Sequence, residues 1–149
     1  MTTVLLLWLM IDQPVPFSHK THAEAAKLKC ADCHAMPDPG ERATLPPTGK
    51  CMACHVTIKS DSPAVAKLSE AHKAKRNVPW KRIYQIPGYV FFSHRIHTEA
   101  GATCANCHGA VAERDVLTKE VETNMGACMS CHMKYKAPND CTTCHEQRN

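Results

Sequence analysis

The ten cysteines of this 149-residue chain fall without remainder into five Cys-x-x-Cys-His motifs, and that spacing constrains the fold more than any other feature. The motifs are Cys30, Cys33 and His34; Cys51, Cys54 and His55; Cys104, Cys107 and His108; Cys128, Cys131 and His132; and Cys141, Cys144 and His145. Cys-x-x-Cys-His is the attachment signature of c-type haem. The two thiols form thioethers with the porphyrin vinyl groups, and the adjacent imidazole sits under the iron as proximal ligand. Other chemistries fit less well. A zinc ribbon also pairs Cys-x-x-Cys, but nothing in it requires a histidine directly after each pair. A thioredoxin-like site uses one pair in a βαβ setting, and no such setting is visible here. A disulfide framework needs no histidines. Five repeats with no cysteine left over point to five covalently attached haem c groups.

The rest of the composition agrees with a cofactor-dependent fold. Aromatic residues are 5% of the chain, a thin supply for an ordinary core. Ten Pro and six Gly imply many turns and short regular elements. Chains poor in core and rich in cysteine usually need disulfides, metals or cofactors to fold. The expectation is therefore a compact, mainly α protein with much irregular loop, its core formed by the haems. So many macrocycles in so short a chain must lie close to one another, which allows electrons to hop along them. The formal charge of +4 would suggest an acidic partner. Ferric bis-histidine haems with ionised propionates carry about −1 each, so five bring the total to about −1. The charge therefore gives no support to nucleic-acid binding.

The chain repeats itself. Phe17-Ser18-His19-Lys20-Thr21-His22 precedes Cys30, and Phe92-Ser93-His94-Arg95-Ile96-His97 precedes Cys104. Gly49-Lys50-Cys51-Met52-Ala53-Cys54-His55 matches Gly126-Ala127-Cys128-Met129-Ser130-Cys131-His132. This divides the chain into a dihaem module over residues 16–60, a linker with one helix over 61–90, and a trihaem module over 91–149. Residues 1–15 carry the apolar run Val4 to Ile11, too short to span a bilayer, and read as the remnant of a signal or anchor. In the linker, Ser62-Pro63 is a helix start, with helix to about Arg76 and Val65, Leu68 and His72 on one face. Pro79 prevents continuation. Trp80 to Tyr84 reads as extended, Pro87-Gly88 as a turn, and Tyr89 to Phe92 as a short strand or extended run against haem. Residues 35–50 read as loop.

Iron that only transfers electrons needs a second axial ligand. Five histidines lie outside the motifs: His19, His22, His72, His94 and His97. His19 and His22, like His94 and His97, are three residues apart and lie on one side of a helical turn. From there each pair can reach two irons held close together.

Phe-x-His-x-x-His shortly before Cys-x-x-Cys-His resembles the class III cytochromes c of the c3 and c7 types. The resemblance implies that His19 serves the haem of His34 and His22 that of His55. It likewise implies His94 for the haem of His108 and His97 for that of His132. A closer resemblance covers roughly Pro16 to His132. Pro16-Phe17-Ser18-His19-Lys20, Pro46-Pro47-Thr48, Asp61-Ser62-Pro63, Pro79-Trp80-Lys81-Arg82-Ile83 and Tyr89-Val90-Phe91-Phe92-Ser93-His94 are similar to the pentahaem cytochrome subunit of alternative complex III. That implies a place in, or beside, a membrane quinol-oxidising assembly. For the haem of His145, the c7 resemblance places the distal ligand just before the preceding motif, where Met125 stands. His72 on the linker helix is the rival, and an open or water-bound iron the third option.

Function follows as electron transfer, not catalysis. A multihaem reductase needs an open iron, whereas distal candidates here are at least as many as the haems, and no Cys-x-x-Cys-Lys variant occurs. The implied partners are redox proteins and membrane-complex subunits. The alternative is a soluble periplasmic or extracellular carrier, self-associating into a homo-oligomeric wire. Either role lies on the periplasmic or extracellular face.

Overall fold

A computed structural model describes residues 12–145, so the apolar run Val4 to Ile11 lies outside the described residues. The described chain is built from eight short helices and one 3-10 turn, Val111–Glu113. The first repeat supplies α1 (His19–Glu24), α2 (Cys30–Cys33) and α3 (Thr48–His55). The linker supplies α4 (Pro63–Lys73). The second repeat supplies α5 (His94–Glu99), α6 (Cys104–His108), α7 (Met125–Tyr135) and α8 (Cys141–Cys144). Among the described residues the only β pairing is a single antiparallel bridge between Val90 and His145. The mainly α fold with much loop expected from the sequence is what forms.

The helices are short because their boundaries are written into the chain. Ser18 and Ser93 cap α1 and α5, their side chains accepting from the N–H groups of Thr21 and Ile96. Asn124 caps α7 and Asp140 caps α8 in the same way. Helix α4 begins at Pro63 as expected but stops at Lys73, three residues before Arg76. Lys75 takes the left-handed conformation (φ 53°), and Arg76 N–H turns back to the Ala71 carbonyl at 2.9 Å. The loop expected through residue 50 ends earlier, because Thr48 opens α3. Thr48 is fully buried, its Oγ1 accepting from Val78 N–H at 3.0 Å and its own N–H reaching Asn77 Oδ1 at 3.1 Å. These two bonds tie the start of α3 to the chain just past α4.

The hydrophobic core is small. Val15, Met52, Leu68 and Val78 form one buried cluster, with Cys51, Ala64 and Trp80 packed against it. Val65 and Leu68 of α4 are buried as their spacing predicts, whereas His72 is exposed. Residues 12–15 belong to this unit: Val15 is in the cluster, and Gln13 exchanges two hydrogen bonds with the Lys81 backbone.

The two repeats clasp each other reciprocally. On the first side, Lys20 N–H donates to Arg114 O at 3.0 Å and Ser18 Oγ to Asp115 Oδ1 at 2.6 Å. On the second, Arg95 N–H donates to Gly40 O at 3.0 Å and His94 N–H to Glu41 O at 3.3 Å. The Arg95 guanidinium also meets the Asp38 carboxylate at 2.5 Å. Each histidine-bearing helix thus docks on the loop that follows the other repeat's first attachment motif.

Candidate functional site

None of the ten cysteines is in a disulfide. Each Cys-x-x-Cys pair lies on its own helix, α2, α3, α6, α7 or α8, which holds both sulfurs toward one side. Among the described residues no cluster of three or more histidine, cysteine and carboxylate groups is arranged around a bare metal ion. What the fold does assemble is pairs of imidazoles. His19 faces His34 with ring centres 6.4 Å apart, and His22 faces His55 at 6.1 Å. His94 faces His108 at 6.5 Å, and His97 faces His132 at 6.0 Å. Two imidazoles holding one metal ion from opposite sides, each through a bond of about 2 Å, have ring centres roughly 6 Å apart. These are also the four partnerships expected from the sequence.

Backbone carbonyls fix the orientation of six of these imidazoles. An imidazole that binds metal through Nε2 usually donates its Nδ1–H to a carbonyl or carboxylate, which fixes tautomer and ring angle. His22 Nδ1 lies 2.7 Å from Ser18 O and His97 Nδ1 lies 2.7 Å from Ser93 O. His94 Nδ1 meets Glu41 O at 2.8 Å. Among the rings that directly follow a Cys-x-x-Cys pair, His34 meets Thr44 O at 2.9 Å, His55 meets Ile58 O at 2.8 Å, and His132 meets Pro138 O at 2.5 Å. Six Nε2 atoms are thereby turned away from the backbone and left to bind. Burial holds His19 down to about 4, with His34 and then His22 adding to the effect. Burial likewise lowers His108, followed by His94 and His34. Both rings are neutral near pH 7, the form a metal needs.

The repeated Phe-Ser-His-x-x-His is now explained position by position. Phe17 stacks on His22 at 4.3 Å and meets His19 edge-on at 4.8 Å. Phe92 does the same for His97 at 4.6 Å and His94 at 4.8 Å. The serine caps the helix with its hydroxyl and takes the second histidine's Nδ1–H on its carbonyl. Sequence reasoning missed Tyr84. Its hydroxyl accepts from Glu120 N–H at 2.9 Å and Val121 N–H at 3.2 Å and donates to His108 O at 3.3 Å, while its ring packs edge-on against His108. No local pattern marks such a long-range contact.

Around His145 the arrangement differs. Phe91 N–H donates to Cys144 O at 2.8 Å beside the Val90–His145 bridge, and the Tyr89 ring lies 6.0 Å from that of His145. The run expected to be a short strand is thus one bridge deep, following a turn closed by Val90 N–H and Pro87 O at 3.0 Å. Met125 opens α7 and is 65% exposed. His72 lies against α3, where a Cβ on Gly49 would sit 3.6 Å from its Cε1.

Thiols of different motifs influence one another in pairs. Burial pushes the Cys51 thiol up, and Cys33 adds to it. Cys104 is raised by burial and then by Cys30. Cys107 is raised by burial, then by Cys131 and Cys128, and Cys128 by burial and then by Cys144. The thiols that influence one another thus belong to the motifs of His55 and His34, of His34 and His108, of His108 and His132, and of His132 and His145. Exposed apolar side chains (Met129 and Met133 on α7, Ile96 on α5, Phe91 beside α8) supply the surface that a porphyrin face requires. The sulfur pairs, the imidazole pairs and this apolar lining fit haem.

Two family patterns match the chain: the Class III cytochrome C family over residues 6–84, and Cytochrome c7 and related cytochrome c over residues 90–146. The multihaem cytochrome c subunit of menaquinone reductase from Nitratidesulfovibrio vulgaris Hildenborough is 30% identical over 155 residues, covering 97% of this chain and 72% of that protein.

Proposed function

We propose, since the chain belongs to the class III family of multihaem c-type cytochromes, that it carries electrons through five covalently attached haem c groups as a subunit of, or partner to, a membrane complex that oxidises quinol. It is an electron-transfer protein and not an enzyme. The observation that carries the reading is the set of four imidazole pairs with ring centres 6.0–6.5 Å apart. His34, His55, His108 and His132 are the proximal members, and His19, His22, His94 and His97 the distal ones. Haem iron, when bound, supplies a one-electron couple. With haem bound, two imidazoles per iron would keep the coordination unchanged in both oxidation states, so little would have to reorganise.

For the site of Cys141, Cys144 and His145 we assign Met125 as distal ligand over His72. Supporting this, α7 brings Cys128, one helical turn from Met125, close to Cys144. His72 lies against α3, the helix that ends at His55. Met ligation raises a haem potential relative to bis-histidine, so the His145 end is the high-potential end of the row. The Met125→Ala variant should lose its His/Met optical signature, and an unchanged spectrum counts against the assignment.

The neighbouring sulfurs support a single row from the His55 site to the His145 site. The relative's name supports a quinone-linked complex, although there the electrons run toward menaquinone. The same row serves either direction, on the periplasmic or extracellular face. The test is affinity purification of the tagged protein from native membranes. Co-purification with membrane subunits, and reduction of the cytochrome on adding quinol, is the expected result. Recovery only as free chain, inert toward quinol, favours the soluble carrier or self-associated wire.

A further inference from the structure

The two copies of Phe-Ser-His-x-x-His hold their histidines alike except at one atom. In the second copy, His94 donates Nδ1–H to Glu41 O at 2.8 Å and His97 donates to Ser93 O at 2.7 Å. In the first, His22 donates to Ser18 O at 2.7 Å, but Nδ1 of His19 is buried with no hydrogen-bond partner. The cause lies in the reciprocal clasp. Lys20 N–H meets Arg114 O just as Arg95 N–H meets Gly40 O, both at 3.0 Å. One residue further on, the copies part. The Glu41 carbonyl takes both N–H groups of His94. Asp115 instead meets α1 through its carboxylate, which accepts from Ser18 Oγ at 2.6 Å. The carbonyl that would serve His19 is not offered.

A metal-bound imidazole that donates its second N–H to a carbonyl becomes a more basic ligand. A more basic axial ligand favours the ferric state and lowers the reduction potential, and hydrogen bonding around the axial ligands is one of the protein's levers on potential. We infer that His19 sets the site of Cys30 and Cys33 at a higher reduction potential than the adjacent site of Cys51 and Cys54, because its buried Nδ1–H has no acceptor. This rests on the axial-ligand reading given above.

At the adjacent site both imidazoles donate, His22 to Ser18 O and His55 to Ile58 O at 2.8 Å. At the His34 site the proximal ring also donates, to Thr44 O at 2.9 Å. The histidine hydrogen bonds of the two sites thus differ by one, and the paired ring planes differ as well, 11° apart at the His34 site and 60° apart at the His55 site. The Asp115 carboxylate acts in the opposite sense, but it is exposed and solvent-screened, and Arg114 precedes it in the chain. An electron arriving at the His55 end of the row therefore meets a first inward step that is downhill.

The test is potentiometric titration of the full holoprotein followed by EPR, on the wild type and on His19→Met and His22→Met. Each replacement shifts its own haem upward, so the wild-type bis-histidine component that disappears identifies the site. The component lost in His19→Met should titrate, in the wild type, at the higher potential of the two. Equal potentials or the reverse order overturns the inference while leaving the ligand reading standing. If neither replacement removes a bis-histidine component, the ligand reading itself falls and the inference with it. Where a replacement prevents accumulation, NMR of the wild-type haem methyl signals at intermediate reduction, assigned through contacts to Thr44 beside His34 and to Ile58 beside His55, reports the same order.

Discussion

Replacing Tyr84 with phenylalanine removes one oxygen atom and keeps the ring that packs on His108. That oxygen accepts from Glu120 N–H and Val121 N–H and donates to the His108 carbonyl. It is the knot that ties the loop after the third attachment motif back to its proximal histidine. Glu120 is exposed, so water replaces that partner at little cost. Val121 N–H and the His108 carbonyl are partly buried, and each such bond is worth a net ~0.5–1.5 kcal/mol, giving roughly 1–3 kcal/mol for the substitution. For a chain of this length, 1 kcal/mol shifts Tm by about 2–4 °C, so Tyr84→Phe should melt roughly 2–12 °C below wild type. Thermal melts of holoprotein read by Soret and far-UV circular dichroism measure it. An unchanged or raised Tm would refute the hydrogen-bonding account of Tyr84.

Gly40 has φ +86°, and a Cβ there would lie 2.6 Å from Arg95 Cβ. Gly40→Ala should open the inter-repeat clasp and cost about 1–3 kcal/mol in backbone strain; a denaturant midpoint equal to wild type would contradict this. Asp140 is held below its ordinary value of about 3.9 by hydrogen bonds from Thr142 and then Thr143. The native carboxylate binds fewer protons than the unfolded one, so its contribution is present above that value and lost as pH falls through the lowered one. Acid unfolding of Asp140→Ala should lack this component, and coincident acid limbs for the two proteins would show that the cap adds nothing. Haem-free protein should show no cooperative thermal transition by far-UV circular dichroism, since the described core is only Val15, Met52, Val65, Leu68 and Val78; a sharp transition would mean that the protein core suffices.

Much of the site could be read in the chain because its signals are local. Cys-x-x-Cys-His places three groups within five residues, and Ser18-His19-x-x-His22 writes a cap and two candidate ligands into one turn. The start of α4 at Ser62-Pro63 was legible for the same reason. Its end was not, because Lys75 takes a left-handed φ that nothing in its identity demands. Thr48 looked like loop because the bonds that seat it come from Asn77 and Val78. The acceptors of the histidine Nδ1 atoms are mostly backbone carbonyls with no sequence signature. That is why the contrast between His94 and His19, two members of one repeat, emerges only from the three-dimensional clasp.

The central claim is that this chain carries five covalently bound haems. Intact mass spectrometry of the denatured holoprotein tests it directly, since thioether-linked haem survives denaturation while any other metal centre is lost. The expected result is a single species carrying five haem additions, with no free thiol left to alkylate. A mass showing fewer additions, or thiols that react at any of the five motifs, would contradict it.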